Sequence, residues 1–179
     1  MPRLVMLRHG ESEWNDSNRF AGWYDINLSP QGELDAIKAG QSLLEIGFAP
    51  TVVHTSLMKR TAKTANLILE QLDRLWIPVR RSWRLNERHY GGLTGLDKEA
   101  CMAQYGREQV QLWRRSYAIR PPPMPEGHPW NPNVDPRYGH LAPDVLPKTE
   151  SLADVVVRLL PYWYVDRTRK LTAVANGTV

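Results

Sequence analysis

An apolar run that stops at a charged triplet constrains this chain more than any other feature. Leu4-Val5-Met6-Leu7 leads directly into Arg8-His9-Gly10. Such a run, closed by glycine, reads as a buried strand over Arg3 to Leu7 that delivers its last side chains to a sheet edge. The carboxyl ends of strands are where open α/β sheets bind ligands. A histidine there, beside an arginine, is placed to attack a phosphoryl group while the guanidinium holds its oxygens. A strand that merely ends in a polar turn accounts for the triplet equally well, so the remaining sequence has to decide.

The rest of the chain alternates strands and helices. Ser29-Pro30 is a strong helix start, with serine as N-cap and proline in the first turn, and the helix runs to about Glu45 with Gly47 beyond it. Thr51 to His54 reads as a second strand, Leu57 to Leu72 as a helix, and Ile77 to Arg80 as a third strand. Helices follow over Lys98 to Tyr105, Glu108 to Arg115 and Ser151 to Leu160, and Leu171 to Ala175 reads as a last strand. Nine prolines between Pro121 and Pro147 make the stretch at about 118–149 a long loop or lid. The expectation is a single α/β domain over 1–179, a three-layer sandwich with a mainly parallel sheet flanked by helices.

Composition narrows the partners. The net charge is +4, yet the lysines and arginines are scattered, with Lys59-Arg60, Arg80-Arg81 and Arg114-Arg115 far apart. That pattern suits small acidic substrates better than nucleic acid. No apolar run reaches bilayer length, and Arg8, His9 and Glu11 interrupt any secretory core. Cys101 stands alone, which fits a reducing cytoplasm.

Four clusters share one chemistry. They are Arg8, His9, Ser12 and Asn15; Lys59-Arg60; Asn86-Glu87-Arg88-His89-Tyr90 extending to Lys98; and Arg114-Arg115. Together they offer a nucleophile, a carboxylate and several fixed cations. Phosphoryl transfer needs that set, because its catalysis is mostly positioning and charge neutralisation. With arginines in the cation role, no metal is required. A surface ion pair at Glu87-Arg88 and an exposed helix end at Arg114-Arg115 are the plainer alternatives. His54, His128 and His140 lack metal-ligand spacing.

The run Leu7-Arg8-His9-Gly10-Glu11-Ser12-Glu13-Trp14-Asn15 resembles the signature of the cofactor-dependent phosphoglycerate mutases of the histidine phosphatase superfamily. The stretches from Phe20 to Asp25, Leu85 to Lys98, Trp113 to Tyr117, Glu150 to Leu152 and Leu160 to Trp163 continue the likeness in one register. The resemblance implies that His9 becomes phosphorylated and that Glu87 is the general acid/base. It gives Arg8, Arg60, Asn15 and Gly22 to the transferring phosphate and the substrate, with Ser12 and Ala21 beside them. It gives Arg88, His89, Tyr90, Lys98, Arg114 and Arg115 to the substrate carboxylate and second phosphate. The implied reaction interconverts 3- and 2-phosphoglycerate, a step of glycolysis and gluconeogenesis, primed by 2,3-bisphosphoglycerate. The family forms homodimers and homotetramers.

The sequence departs from that pattern in three places. Ala21 stands where a small hydroxyl or thiol residue is usual, which removes a phosphate contact of about 1 kcal/mol. Ala175-Asn176-Gly177-Thr178-Val179 stands where the family has Ala-His-Gly-Asn-Ser, so Asn176 replaces a second catalytic histidine with a donor that carries no charge. The resemblance also implies a further helix, strand and tail after Val179, and more residues between Trp163 and Leu171. A chain with C-terminal elements missing or truncated is therefore expected, whether as a fragment, a mis-joined sequence or a degenerate copy. Within the superfamily, a phosphatase or a bisphosphoglycerate synthase uses the same residues, and outside catalysis an impaired or non-catalytic mutase-like protein fits Asn176.

Overall fold

The computed structural model describes residues 3–166 and 173–175. Its elements run β1 (Val5–Leu7), α1 (Glu13–Asp16), α2 (Pro30–Glu45), β2 (Val53–Thr55), α3 (Lys59–Gln71), β3 (Val79–Arg81), α4 (Lys98–Tyr105), α5 (Arg107–Arg115), α6 (Leu152–Asp166) and β4 (Ala173–Ala175). The four strands form one parallel sheet in the order β1-β4-β2-β3. The fold is thus α/β with a parallel sheet and helices, as the alternation in the sequence implies. Among the described residues no helix is long and apolar enough to cross a membrane.

Contacts divide the chain into two compact units. The first holds Met1–Glu13, Ile26–Glu87 and Pro161–Val179, and so contains the whole sheet. Helix α2 begins as its sequence requires: Ser29 Oγ accepts the Gly32 N–H at 3.1 Å, and Pro30 lies in the first turn. It ends with Gly47 at φ +64°, a left-handed conformation that glycine adopts without a β-carbon clash. Two apolar clusters carry the packing. Leu43, Phe48, Ile68 and Leu72 gather with Val5 and Leu7, while Val53, Ala65, Leu69 and Ile77 gather with Val79. Helices α2 and α3 therefore bury their apolar faces against each other and the sheet, the main source of stability in such a layer.

The second unit holds Trp14–Asp25 and Arg88–Leu160. Phe20, Leu93, Cys101 and Val110 form its core, with Tyr90, Met102 and Trp113 packed on it. Asp97 caps α4 by accepting the Ala100 N–H at 2.8 Å. The proline-rich stretch is ordered by three 3-10 turns at Pro132–Val134, Pro136–Tyr138 and Pro143–Val145. Arg137 ties it to Asp25 at 2.6 Å, and fully buried Tyr138 packs on Trp23 with ring centroids 5.0 Å apart.

Boundaries shift modestly from the sequence reading, the short helix α1 (Glu13–Asp16) is not among the expected elements, and one expected helix runs longer. Helix α6 does not stop at Leu160 but continues through Pro161 to Asp166. Proline lacks the N–H that would reach back one turn, which is why its presence reads as a stop. Beyond it, the Tyr162 hydroxyl bonds to His54 Nδ1 at 2.6 Å, and His54 is fully buried in β2. That tertiary anchor offsets part of what an interior proline costs through its lost hydrogen bond and the crowding of its ring against the preceding turn. Asn176 and Gly177 lie outside the described residues.

Candidate active site

His9 lies two residues beyond Leu7, the end of β1, and is 7% exposed. Its backbone is held from two sides. The Gly10 N–H donates to Thr64 Oγ1 of α3 at 3.2 Å, and that hydroxyl donates to the Arg60 carbonyl at 2.7 Å. From the other side the start of α2 closes in: the Ser29 N–H donates to the Glu11 carbonyl at 2.9 Å, and Ser29 Oγ donates to Glu11 Oε1 at 2.8 Å. The approach is so tight that a β-carbon on Gly10 would lie 2.0 Å from the Gly32 carbonyl oxygen, and one on Gly32 would lie 1.9 Å from the Glu11 carbonyl oxygen. Two glycines here are a steric requirement.

The imidazole is held in one tautomer. Nδ1 lies 2.6 Å from the Gly10 carbonyl oxygen, which only accepts, so Nδ1 carries the proton. The lone pair then sits on Nε2, where the Arg60 Nε–H points at it from 3.3 Å. Burial, then the charge of Arg60, push the His9 pKa down to about 4; the Gly10 bond opposes them, and Arg8 adds a smaller push downward. At neutral pH the ring is therefore an uncharged nucleophile with its tautomer fixed.

Arg60 is fully buried and joins this ring to a carboxylate. Its Nη2 donates to Glu87 Oε2 at 2.9 Å. It sits in the first turn of α3, where a cation opposes the helix dipole, so its place is not set by helix stability. Glu87 is partly exposed. Arg8 is exposed, and Ser12 is fully buried with its backbone bridging Leu28. The first unit thus brings together His9, Arg60 and Glu87, with Arg8 and Ser12 on the same connection.

The remaining candidates lie in the second unit. Asn15 is half-buried in α1; Ala21 and Gly22 are buried. Gly22 has φ +56°, and a β-carbon there would lie 2.9 Å from the Arg88 carbonyl oxygen. Arg88 is 3% exposed. Its Nη2 donates to the Arg114 carbonyl at 2.8 Å, and its guanidinium carbon lies 4.9 Å above the Tyr90 ring. Its Nε and Nη1 have no hydrogen-bond acceptor among the described residues. Buried guanidinium N–H groups without acceptors suit an anionic ligand. Lys98 is half-buried and reaches Asn18 Oδ1 at 3.4 Å; Arg114 is half-buried and Arg115 exposed. His89 is fully buried, and its Nδ1 accepts the Gly91 N–H at 3.0 Å. Burial, then Arg158 and His128, push its pKa down to about 3, so it is neutral and lacks contact with solvent. Among the described residues no three His, Cys, Asp or Glu side chains group as a metal site.

Sequence reasoning missed one pair. Glu150 and Arg158 are 3% and 7% exposed and bonded at 2.6 and 3.1 Å. A signal existed: Arg158 is the one basic residue among the mainly apolar positions Leu152 to Val165, and a cation on such a face calls for a buried partner.

The buried histidines set the acid behaviour. Both pKa values lie below the ordinary 6.5, so on acidification the unfolded chain takes up protons that the folded chain refuses. Their contribution is fully present above pH 6.5 and is lost as pH falls toward 4 for His9 and 3 for His89. The loss approaches about 3 kcal/mol for His9 alone. Urea midpoints measured from pH 7.5 down to 4 are expected to fall steadily below 6.5, and imidazole resonances should show no His9 protonation until about pH 4. A His9 that titrates near 6.5 would contradict the geometry.

Residues 4–135 match the family model for the histidine phosphatase superfamily, branch 1. A curated relative from Streptomyces avermitilis, a 2,3-bisphosphoglycerate-dependent phosphoglycerate mutase, is 56% identical over 90% of this chain, and the alignment spans 64% of that relative's length. One of the same name from Leifsonia xyli subsp. xyli is 54% identical over 95% of this chain and 68% of its own length. Among solved structures, a mycobacterial glucosyl-3-phosphoglycerate phosphatase shares the fold with a TM-score of 0.74 at 24% identity, over 98% of this chain and 76% of that one. The chain thus spans about two thirds of the length of the curated relatives it matches, and it belongs to the histidine phosphatase superfamily, branch 1.

Proposed function

We propose that this protein is a phosphoglycerate mutase that moves a phosphoryl group between the 2- and 3-positions of phosphoglycerate by way of a phosphohistidine at His9, in the cytoplasmic reactions of glycolysis and gluconeogenesis. The observation that carries the reading is the neutral His9 ring with its lone pair on Nε2, joined through Arg60 to Glu87. The 54–56% identity to curated mutases supports the substrate class.

When bound, 2,3-bisphosphoglycerate supplies the phosphoryl group. His9 Nε2 presents its lone pair to phosphorus as the phosphorus–oxygen ester bond breaks, and Glu87 delivers a proton to the departing alkoxide. In the return step Glu87 takes the proton from the other hydroxyl as that oxygen attacks the phosphohistidine. Arg60 and Arg8 neutralise the phosphoryl oxygens, so that charge developing in transfer meets fixed donors. Ser12, Asn15, Ala21 and Gly22 line the phosphate's path. Arg88, with Tyr90, Lys98, Arg114 and Arg115, holds the carboxylate and second phosphate, and the acceptor-free N–H groups of Arg88 support that role. Fully buried His89 serves by shaping this loop, and Asn176-Gly177 takes the place of the family's second histidine. A homodimer or homotetramer is proposed from the family alone.

Asn176 supports a second reading, a mutase-like protein that binds without turning over. Incubation with 2,3-bisphosphoglycerate separates the two. The mutase is expected to yield acid-labile phosphohistidine at position 9 and to convert 3- into 2-phosphoglycerate. Release of inorganic phosphate without isomerisation would make it a phosphatase, and binding with neither product would favour the second reading.

A further inference from the structure

The buried Glu150–Arg158 pair is not needed for the chemistry at His9, and burying two charges is seldom a net gain in stability. Its contacts show what it does. Glu150 Oε2 accepts the His89 N–H at 2.8 Å, and the Glu150 N–H donates to the His89 carbonyl at 2.9 Å. One residue therefore satisfies both backbone polar groups of His89. Arg158 in turn grips both carboxylate oxygens, Nε to Oε1 at 2.6 Å and Nη2 to Oε2 at 3.1 Å, and its guanidinium lies 5.6 Å from the centre of the Trp23 ring. The carboxylate is left one position to occupy.

His89 lies between Arg88 and Tyr90, the two residues whose side chains form the guanidinium–ring stack. The flanks of the loop are also set, because Gly22 packs on the Arg88 carbonyl and Gly91 (φ +60°) on the Pro122 carbonyl. The His89 ring adds a bond to the Gly91 N–H. The direction in which Arg88 offers Nε and Nη1 thus depends on a backbone fixed at its centre by Glu150.

We propose that Glu150, locked by Arg158, is a positioning residue that aims the Arg88 guanidinium at the anionic end of the substrate. The proposal rests on the mutase reading for its ligand, 3-phosphoglycerate. It predicts that disturbing Glu150 weakens ground-state binding of that ligand and leaves the chemical step at His9 largely intact.

Two charge-free double variants isolate the effect. Glu150→Gln with Arg158→Met keeps an oxygen acceptor for the His89 N–H; Glu150→Leu with Arg158→Met removes it. Neither leaves a lone buried charge, so both should fold, with the leucine version melting lower because the buried His89 N–H loses its acceptor. The leucine version is expected to raise KM for 3-phosphoglycerate by about 10- to 100-fold over the glutamine version, the range for a misaligned charge-assisted contact, with kcat changed less than about threefold. Equal KM values, or a fall in kcat at constant KM, would overturn the proposal. Hydrogen exchange on the unaltered protein gives a reading independent of variant folding. The His89 amide should exchange slowly and slow further at saturating 3-phosphoglycerate; rapid exchange, or indifference to the ligand, would count against the clamp. An unaltered protein that neither binds nor isomerises 3-phosphoglycerate removes the mutase reading instead, and is thereby told apart from a failure of Glu150 alone.

Discussion

Replacing His9 with alanine is expected to lower isomerisation of 3-phosphoglycerate by on the order of 10⁴-fold or more, because the residue forms the covalent intermediate and no neighbour can take its place. Arg60 lacks a lone pair to offer, and Glu87 is held by Arg60 at 2.9 Å. Incorporation of label from 2,3-bisphosphoglycerate into acid-labile protein phosphate should vanish in the same variant. Stability should fall only modestly, by about 1–3 kcal/mol, because the buried Arg60 Nε–H loses the acceptor it has in His9 Nε2. The ring is neutral, so its removal strands no charge, and Arg60 keeps its carboxylate partner. The measurement is a coupled assay of 2-phosphoglycerate formation with a thermal melt on the same sample. Activity within tenfold of the parent, or undiminished phosphate labelling, would remove His9 from the mechanism.

The second large effect is expected at Gly10. A methyl group there meets main chain, not a flexible side chain: the Gly32 carbonyl oxygen would be 2.0 Å away, with its carbon at 2.7 Å. Relief requires the start of α2 to separate from the turn after β1, which breaks the Ser29–Glu11 bonds and shifts the Gly10 carbonyl that fixes the His9 tautomer. Gly10→Ala should therefore cost about 3 kcal/mol or more, beyond ordinary overpacking. For a chain of this size that is a fall of roughly 6–12 °C in the melting temperature. Gly47→Ala is the control. Nothing lies within 4 Å of its β-carbon position, so only its φ of +64° matters, and the expected cost is about 1 kcal/mol. Calorimetry on both variants checks the contrast; equal costs would mean that the contact at Gly10 relaxes freely.

Features specified by neighbouring residues were legible in the sequence. The strand leading into Arg8-His9, the Ser29-Pro30 start of α2, the Gly47 exit and the α4–α5 pair all depend on short-range chemistry, and all appear close to their expected places. Of the candidate site, His9, Arg60 and Glu87 were singled out from the sequence, and the structure joins them in one hydrogen-bonded series. What could not be read were contacts across long separations. The mutual approach of Gly10 and Gly32 is invisible without the packing of α2. The bond of Tyr162 to His54 overrides the local stop signal of Pro161. Glu150 and His89 lie 61 positions apart, so nothing local marks the glutamate as a clamp.

Strand β4 carries a consequence for the order of assembly. It lies between β1 and β2, pairing Val5 with Ala173 and His54 with Val174. Residues near the start and near position 174 must meet before β1 gains any neighbour and before β2 gains its second. During synthesis, at about 5–20 residues per second, β1 would wait roughly 10–30 seconds for that partner while β2 and β3 are already able to pair. The sheet closes by insertion at its centre and not by growth at an edge. Contacts so distant in sequence slow folding through loop-closure entropy. A nascent chain paused before residue 173 thus presents an open slot flanked by two unpaired strand edges, the form in which such a chain would most need a chaperone.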